Sequence, residues 1–164
     1  MAINIKAKIE EIKDKIANDK NISDEFTAAP AKTVCSFFNG EISEDDASII
    51  SDCIKSEIQT SGINDESASY SRTGYYYGPN ENSFIYVESA KVTFYRVTYS
   101  SYTNMCGITD DNIFISSTQF AVTLPANGWY YFVNGVKTDG NVSLPVQGTC
   151  SGSTITISGT KYTK

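Results

Sequence analysis

The sequence predicts an α+β protein, with short N-terminal helices followed by an antiparallel β-sandwich or barrel. Three observations carry this. Residues 1–62 hold 19 of the 32 charged side chains and three aromatics, Phe26, Phe37 and Phe38. Residues 63–164 hold all 11 tyrosines, five phenylalanines and the single tryptophan, Trp129, among many Ser, Thr, Asn and Gly. Apolar residues recur at helical spacing before the break near Gly62, and at every second position from about residue 84 onward. The expected organisation is a helical attachment or assembly region over 1–62 and a β domain with aromatic, Ser/Thr-rich strands over 63–164.

Helices are predicted within 3–19, 30–39 and 44–61. Ile5, Ile9, Ile12 and Ile16 are spaced 4, 3, 4, which makes an apolar seam on the first helix. Glu11 and Lys15 support it as an i,i+4 pair, and the run Asn18-Asp19-Lys20-Asn21 should end it. A helix this short needs a surface for its seam. Packing on the chain's own core is the plain reading. Self-association is the sharper one, because Ile at both core positions favours trimers or tetramers. Pro30 suits the first position of a second helix with Val34, Phe37 and Phe38 on its buried side, and Asn39-Gly40 supplies a stop. Ser43 is a good N-cap for a third, with Glu44, Asp45 and Asp46 at the positive end of its dipole and Ala47, Ile50, Cys53, Ile54 and Ile58 on one face.

Residues 62–83 lack periodicity and read as a linker or long loop containing Tyr75-Tyr76-Tyr77. Strands are predicted at 84–88, 91–99, 112–116, 119–124, 129–133, 136–138, 141–146 and 153–158. Asn134-Gly135 between two of them is a strong hairpin signal, since both residues tolerate positive φ. Alternation puts Trp129, Tyr131 and Val133 on one face of their strand and Tyr130 and Phe132 on the other. Aromatics on both faces predict a strand lying between a core and a second covered surface.

Composition excludes several function classes. The net charge of −6 argues against a phosphate-backbone partner, so no nucleic acid is expected. The absence of histidine removes Ser-His-Asp and Cys-His nucleophiles and the usual mixed zinc ligand sets. Cys35, Cys53, Cys106 and Cys150 are far apart without a C-x-x-C pair, and read as buried thiols. Asp110-Asp111 and Asp65-Glu66 read as solvated turns rather than a calcium loop or acid pair. Ser158-Gly159-Thr160-Lys161 lacks the spacing of a phosphate loop. Neither a catalytic residue nor a metal or cofactor is therefore expected. No stretch has the ~20 apolar residues of a membrane-spanning helix, and the N-terminus lacks the apolar core of a secretory signal. The chain is expected to be made in the cytosol.

The aromatic clusters are the strongest candidates for a functional surface. Tyr75, Tyr76, Tyr77, Trp129, Tyr130 and Tyr131 head a set that also includes Tyr95, Tyr99 and Tyr102. Tyrosine joins a flat apolar body to a polar tip, which suits subunit interfaces and sugar platforms.

In composition and layout, over its whole length, the chain resembles small structural proteins of tailed bacteriophages: capsid decoration proteins, head fibres and tail components. An adhesive-looking β module without an export signal fits a protein that reaches the outside in a released particle. The resemblance implies a non-enzymatic virion protein, oligomeric when assembled. Its N-terminal element would dock on the particle, and its partners would be other virion proteins or copies of itself. The alternatives are a carbohydrate-binding or adhesin-like module that takes surface glycans, and a small pore-forming protein.

Overall fold

The computed structural model describes residues 4–61, 74–88, 91–109 and 118–164. The chain divides into two compact units, Met1–Asn64 and Asp65–Lys164.

The first unit is helical. Helix α1 spans Ile5–Asn18 and is capped by Asn4, whose side chain accepts the Ala7 N–H at 2.9 Å. Helix α2, Lys20–Ala28, was not predicted. Asp19 explains it: the residue that ends α1 also caps α2, its Oδ1 accepting the N–H groups of Asn21 and Ile22. The polar run is thus a break between two helices, not the start of a loop. Helix α3 spans Pro30–Phe37 with proline in its first turn, and α4 spans Glu44–Ser61. The stop after α3 uses Asn39 and Gly40 at φ +54° and +73°, with the Gly40 N–H returning to the Cys35 carbonyl. Ser43 caps α4 through the Asp46 N–H at 3.1 Å. Ala47, Ile50, Cys53 and Ile54 are buried along α4, whereas Ile58, predicted on the same face, is 41% exposed. Val34 and Phe38 are buried and Phe37 is half-buried. Lys13 of α1 bonds Glu57 of α4 at 2.8 Å. Burial acts to lower the Lys13 pKa, but the hydrogen bond and charge of Glu57, with help from Glu10, outweigh it and hold the value above the ordinary lysine range.

Among the described residues, the second unit is a ten-stranded, wholly antiparallel sheet. Its strands are β1 Gly74–Tyr77, β2 Phe84–Glu88, β3 Lys91–Tyr99, β4 Tyr102–Thr109, β5 Gln119–Leu124, β6 Trp129–Val133, β7 Val136–Asp139, β8 Leu144–Ser151, β9 Thr154–Ile157 and β10 Thr160–Thr163. Their order across the sheet is β5-β8-β9-β10-β1-β2-β3-β4-β6-β7. The sheet curls over one face to enclose a core in the manner of a sandwich or barrel. Ile85, Phe94, Val97 and Met105 face Phe120, Val122, Val146 and Ile157 across it. The curl brings β5 back to β4, where the Thr109 hydroxyl donates to the Thr123 carbonyl at 2.7 Å.

The expected fold class holds, and several strands differ from expectation. The Tyr75-Tyr76-Tyr77 stretch is strand, not loop, because it pairs residue for residue with β2. Strands β4 and β10 were not predicted. In β4 the two-residue alternation is broken by Asn104 at φ +50° and by the irregular register opposite β3, and β10 has a single large apolar residue, Tyr162. The segment read as 141–146 begins later and extends to Ser151. The strand predicted at 112–116 lies outside the described residues.

Candidate interaction surface

Trp129 anchors the candidate site. Its indole is 3% exposed and its Nε1 donates to the Val142 carbonyl at 2.9 Å. Gly140 lies directly on the ring, where a β-carbon would overlap indole atoms. The Gly140 N–H donates to the Trp129 carbonyl at 2.9 Å and its carbonyl accepts the Asn127 N–H at 2.7 Å. One side chain therefore fixes the base of the β6–β7 hairpin and the chain that leaves it.

From this anchor, an apolar stripe runs outward along one face. Tyr102 meets Trp129 and Tyr131 edge-on, with ring centroids 4.9 and 4.8 Å away. Trp129 and Tyr131 stack at 5.5 Å. Tyr99, Tyr102 and Tyr131 are partly buried against the core. Beyond them lies the cross-strand pair Val133 and Val136, 48% and 65% exposed. The turn between them has Asn134 and Gly135 at φ +51° and +81°, the geometry of a two-residue primed turn.

The opposite face of the hairpin combines aromatics with cations. Tyr130 and Phe132 are half-buried. The Arg96 guanidinium lies 4.4 Å from the Phe132 ring and 5.6 Å from that of Tyr95, and the Lys137 ammonium lies 4.4 Å from Tyr130. The second covered surface expected on this strand is therefore half-open, with β6 next to last in the order of the described strands. Among the described residues, strands covered on both faces are found elsewhere, in β1 and β2, where Tyr75, Tyr77, Phe84 and Tyr86 are buried opposite the core face.

The aromatics singled out in the sequence thus separate. Tyr76 and Trp129 are core residues, and Tyr75 and Tyr77 are buried on the other face of β1. Tyr130 and Tyr131 reach the surface. Sequence reasoning missed Arg96 and Lys137, and the contribution of Phe132, because no spacing rule links a cation on β3 to a ring on β6. Of the Ile seam, Ile5, Ile9 and Ile12 are 0–2% exposed within the single chain. Ile16 is half-buried and lines a groove of about 260 Å³ with Phe26, Pro30, Lys55 and Ile58.

Arranged this way, the hairpin offers rigid aromatics and exposed aliphatics on one face and aromatic-held cations on the other, a surface for contact with another macromolecule. Among the described residues, no group of three acidic or cysteine side chains is placed to hold a metal ion, and all four cysteines are thiols. No helix among them is long and apolar enough to cross a membrane. No protein-family model, curated protein or solved structure matches the chain.

Proposed function

We propose that this chain is a non-enzymatic structural protein of a virus particle, of the tailed-bacteriophage kind, which contacts neighbouring subunits through the β6–β7 hairpin. The observation that carries this reading is where the exposed apolar side chains lie. The large apolar side chains left exposed among the described residues are Ile58, Val133, Val136 and Val142, and three of these four belong to the hairpin and the turn that follows it. Scattered exposed aliphatics need no explanation, but a cluster on one rigidly anchored projection marks a contact site. Fixing the hairpin base through Trp129 limits the ordering cost on docking. Trp129 would be the best sugar platform by residue type, and its burial favours protein contact over glycan binding.

The test is incorporation. Particles released from the source should contain the chain in a fixed ratio to their major shell protein. Complementation with Val133→Asp/Val136→Asp should leave a folded chain outside the particle. Absence from purified particles, or normal incorporation of the double variant, rejects the reading.

A further inference from the structure

We propose that Asn134 is a site of spontaneous self-modification. The Gly135 nitrogen closes on the Asn134 side-chain amide, ammonia leaves, and the hairpin tip becomes a mixture of aspartate and isoaspartate. This goes beyond the proposed function and needs only the purified chain, so the two stand or fall separately.

The chemistry belongs to asparagine followed by glycine. The backbone nitrogen of the glycine, once its proton is lost, attacks the asparagine Cγ. The new N–Cγ bond closes a succinimide ring, the Cγ–Nδ2 bond breaks, and Nδ2 leaves as ammonia. Water then adds at one of the two ring carbonyls. Cleavage of the N–Cγ bond leaves aspartate. Cleavage of the backbone C–N bond leaves isoaspartate, whose main chain runs through Cβ and Cγ. Nothing is oxidised or reduced, and water is the one co-reactant. Glycine favours the attack because it has no β-carbon to screen its nitrogen.

The chain has three such pairs, Asn39-Gly40, Asn127-Gly128 and Asn134-Gly135, and all are exposed. Folding sets them apart. The Gly40 N–H donates to the Cys35 carbonyl at 3.0 Å and the Asn39 N–H to that of Ser36 at 3.1 Å. The Gly128 N–H donates to the Pro125 carbonyl at 2.9 Å and the Asn127 N–H to that of Gly140 at 2.7 Å. Both nitrogens of each pair are thus held, and the attacking one shares its proton with a carbonyl. Among the described residues the Gly135 N–H makes no such bond. The closing pair of its turn is Val133 with Val136, which leaves the two residues between them outside the ladder.

The tip also has room. A β-carbon at Gly135 would meet nothing within 4 Å, so ammonia can leave and water can enter. Asn134 sits at φ +51°, a region asparagine tolerates. Ring closure needs rotation about its Cα–C bond, and at the exposed end of a hairpin that takes only local opening. Either product sets a carboxylate between the exposed Val133 and Val136. Isoaspartate also adds a main-chain carbon to a turn that closes in two residues. The tip therefore changes from uncharged to acidic as the chain ages.

Peptide mapping by mass spectrometry tests this, on purified chain aged at mildly alkaline pH, folded in buffer and unfolded in guanidinium chloride. The ratio of folded to unfolded rate at each pair cancels the effect of sequence neighbours. Folding should slow Asn39 and Asn127 at least about fivefold more than Asn134, the population shift needed to free one backbone hydrogen bond. Asn134 should yield isoaspartate as well as aspartate, distinguished by their fragmentation. A folded chain that protects Asn134 as strongly as either other pair overturns the proposal. So does conversion to aspartate alone, the product of direct side-chain hydrolysis without a succinimide.

Discussion

The phenol oxygen of Tyr162 accepts the backbone N–H of Thr98 at 3.4 Å, across the interior of the curled sheet. Along the sheet the two residues are three strands apart, on β10 and β3. The bond therefore ties opposite walls of the core together. Burial pushes the Tyr162 phenol above its ordinary value, and the Thr98 N–H works against that by favouring the phenolate.

Tyr162→Phe should cost about 1 kcal/mol, the usual net worth of one such bond. Its pH signature is more specific. Above the ordinary tyrosine value the unfolded chain loses this proton while the folded chain keeps it. Stability should therefore fall as pH rises through about 10 and onward to the raised native value. Lys13 acts in the same direction, since its folded form also holds its proton to higher pH. Denaturant melts from pH 8 to 11 should show a shallower alkaline loss in the Phe variant. Parallel curves would mean that Tyr162 does not contribute to the alkaline limb.

Gly140→Ala places a methyl group in the Trp129 indole, so either the ring or the loop must move. Overpacking of this kind costs about 1–3 kcal/mol. Trp129 is the sole tryptophan, so fluorescence reports on it alone. The emission should shift to the red as the indole gains water. An unshifted spectrum with an unchanged melt would contradict the packing of Gly140 on the ring.

Gly135→Val tests the turn itself. A β-carbon at this position meets nothing within 4 Å, so crowding plays no part. The cost comes from φ +81°, and a β-branched residue there should lose about 1–3 kcal/mol. Asn in place of Gly135 should be much milder, because its side chain tolerates the left-handed region. Equal melting points for the Val and Asn variants would rule out the primed turn.

Ile12→Asp distinguishes a core seam from a docking seam. Ile12 is fully covered within the chain, so an aspartate there places an unpaired charge in the packed interior. A loss above about 3 kcal/mol is expected, with helical circular dichroism falling first. Ile16→Asp, at the half-buried end of the seam, should cost far less. Two variants with the same wild-type melt would place the whole seam at the surface.

The helices were legible where spacing and punctuation agree: Ser43 before the acids of α4, Pro30 at the start of α3, Asn39-Gly40 at its end. The break between α1 and α2 was not, because Asp19 reads equally well as a helix stop and as an N-cap. Strands with a clean two-residue period, such as Phe120-Val122-Leu124, were found in place. β4 stayed hidden, since a bulged strand buries neighbours on both faces and loses that period. Among the surface aromatics, residue type alone could not tell Trp129 in the core from Tyr130 and Tyr131 beside it. Burial depends on which strand neighbours which, and the long-range pairing of β4 with β6 leaves no local trace.

The strand order also sets a timetable. Of the described strands β1 is the first to be made, yet one of its neighbours is β10, with Tyr77 opposite Thr163. The ribosome must deliver almost the whole β unit before that seam can close, whereas the α1–α4 contacts span far shorter stretches of chain. Long-separation pairing is slow, and until it forms β1 carries an open edge. Nascent chains stalled with β10 still in the exit tunnel should thus expose Tyr75 and Tyr77 to protease, and those released past Thr163 should protect them.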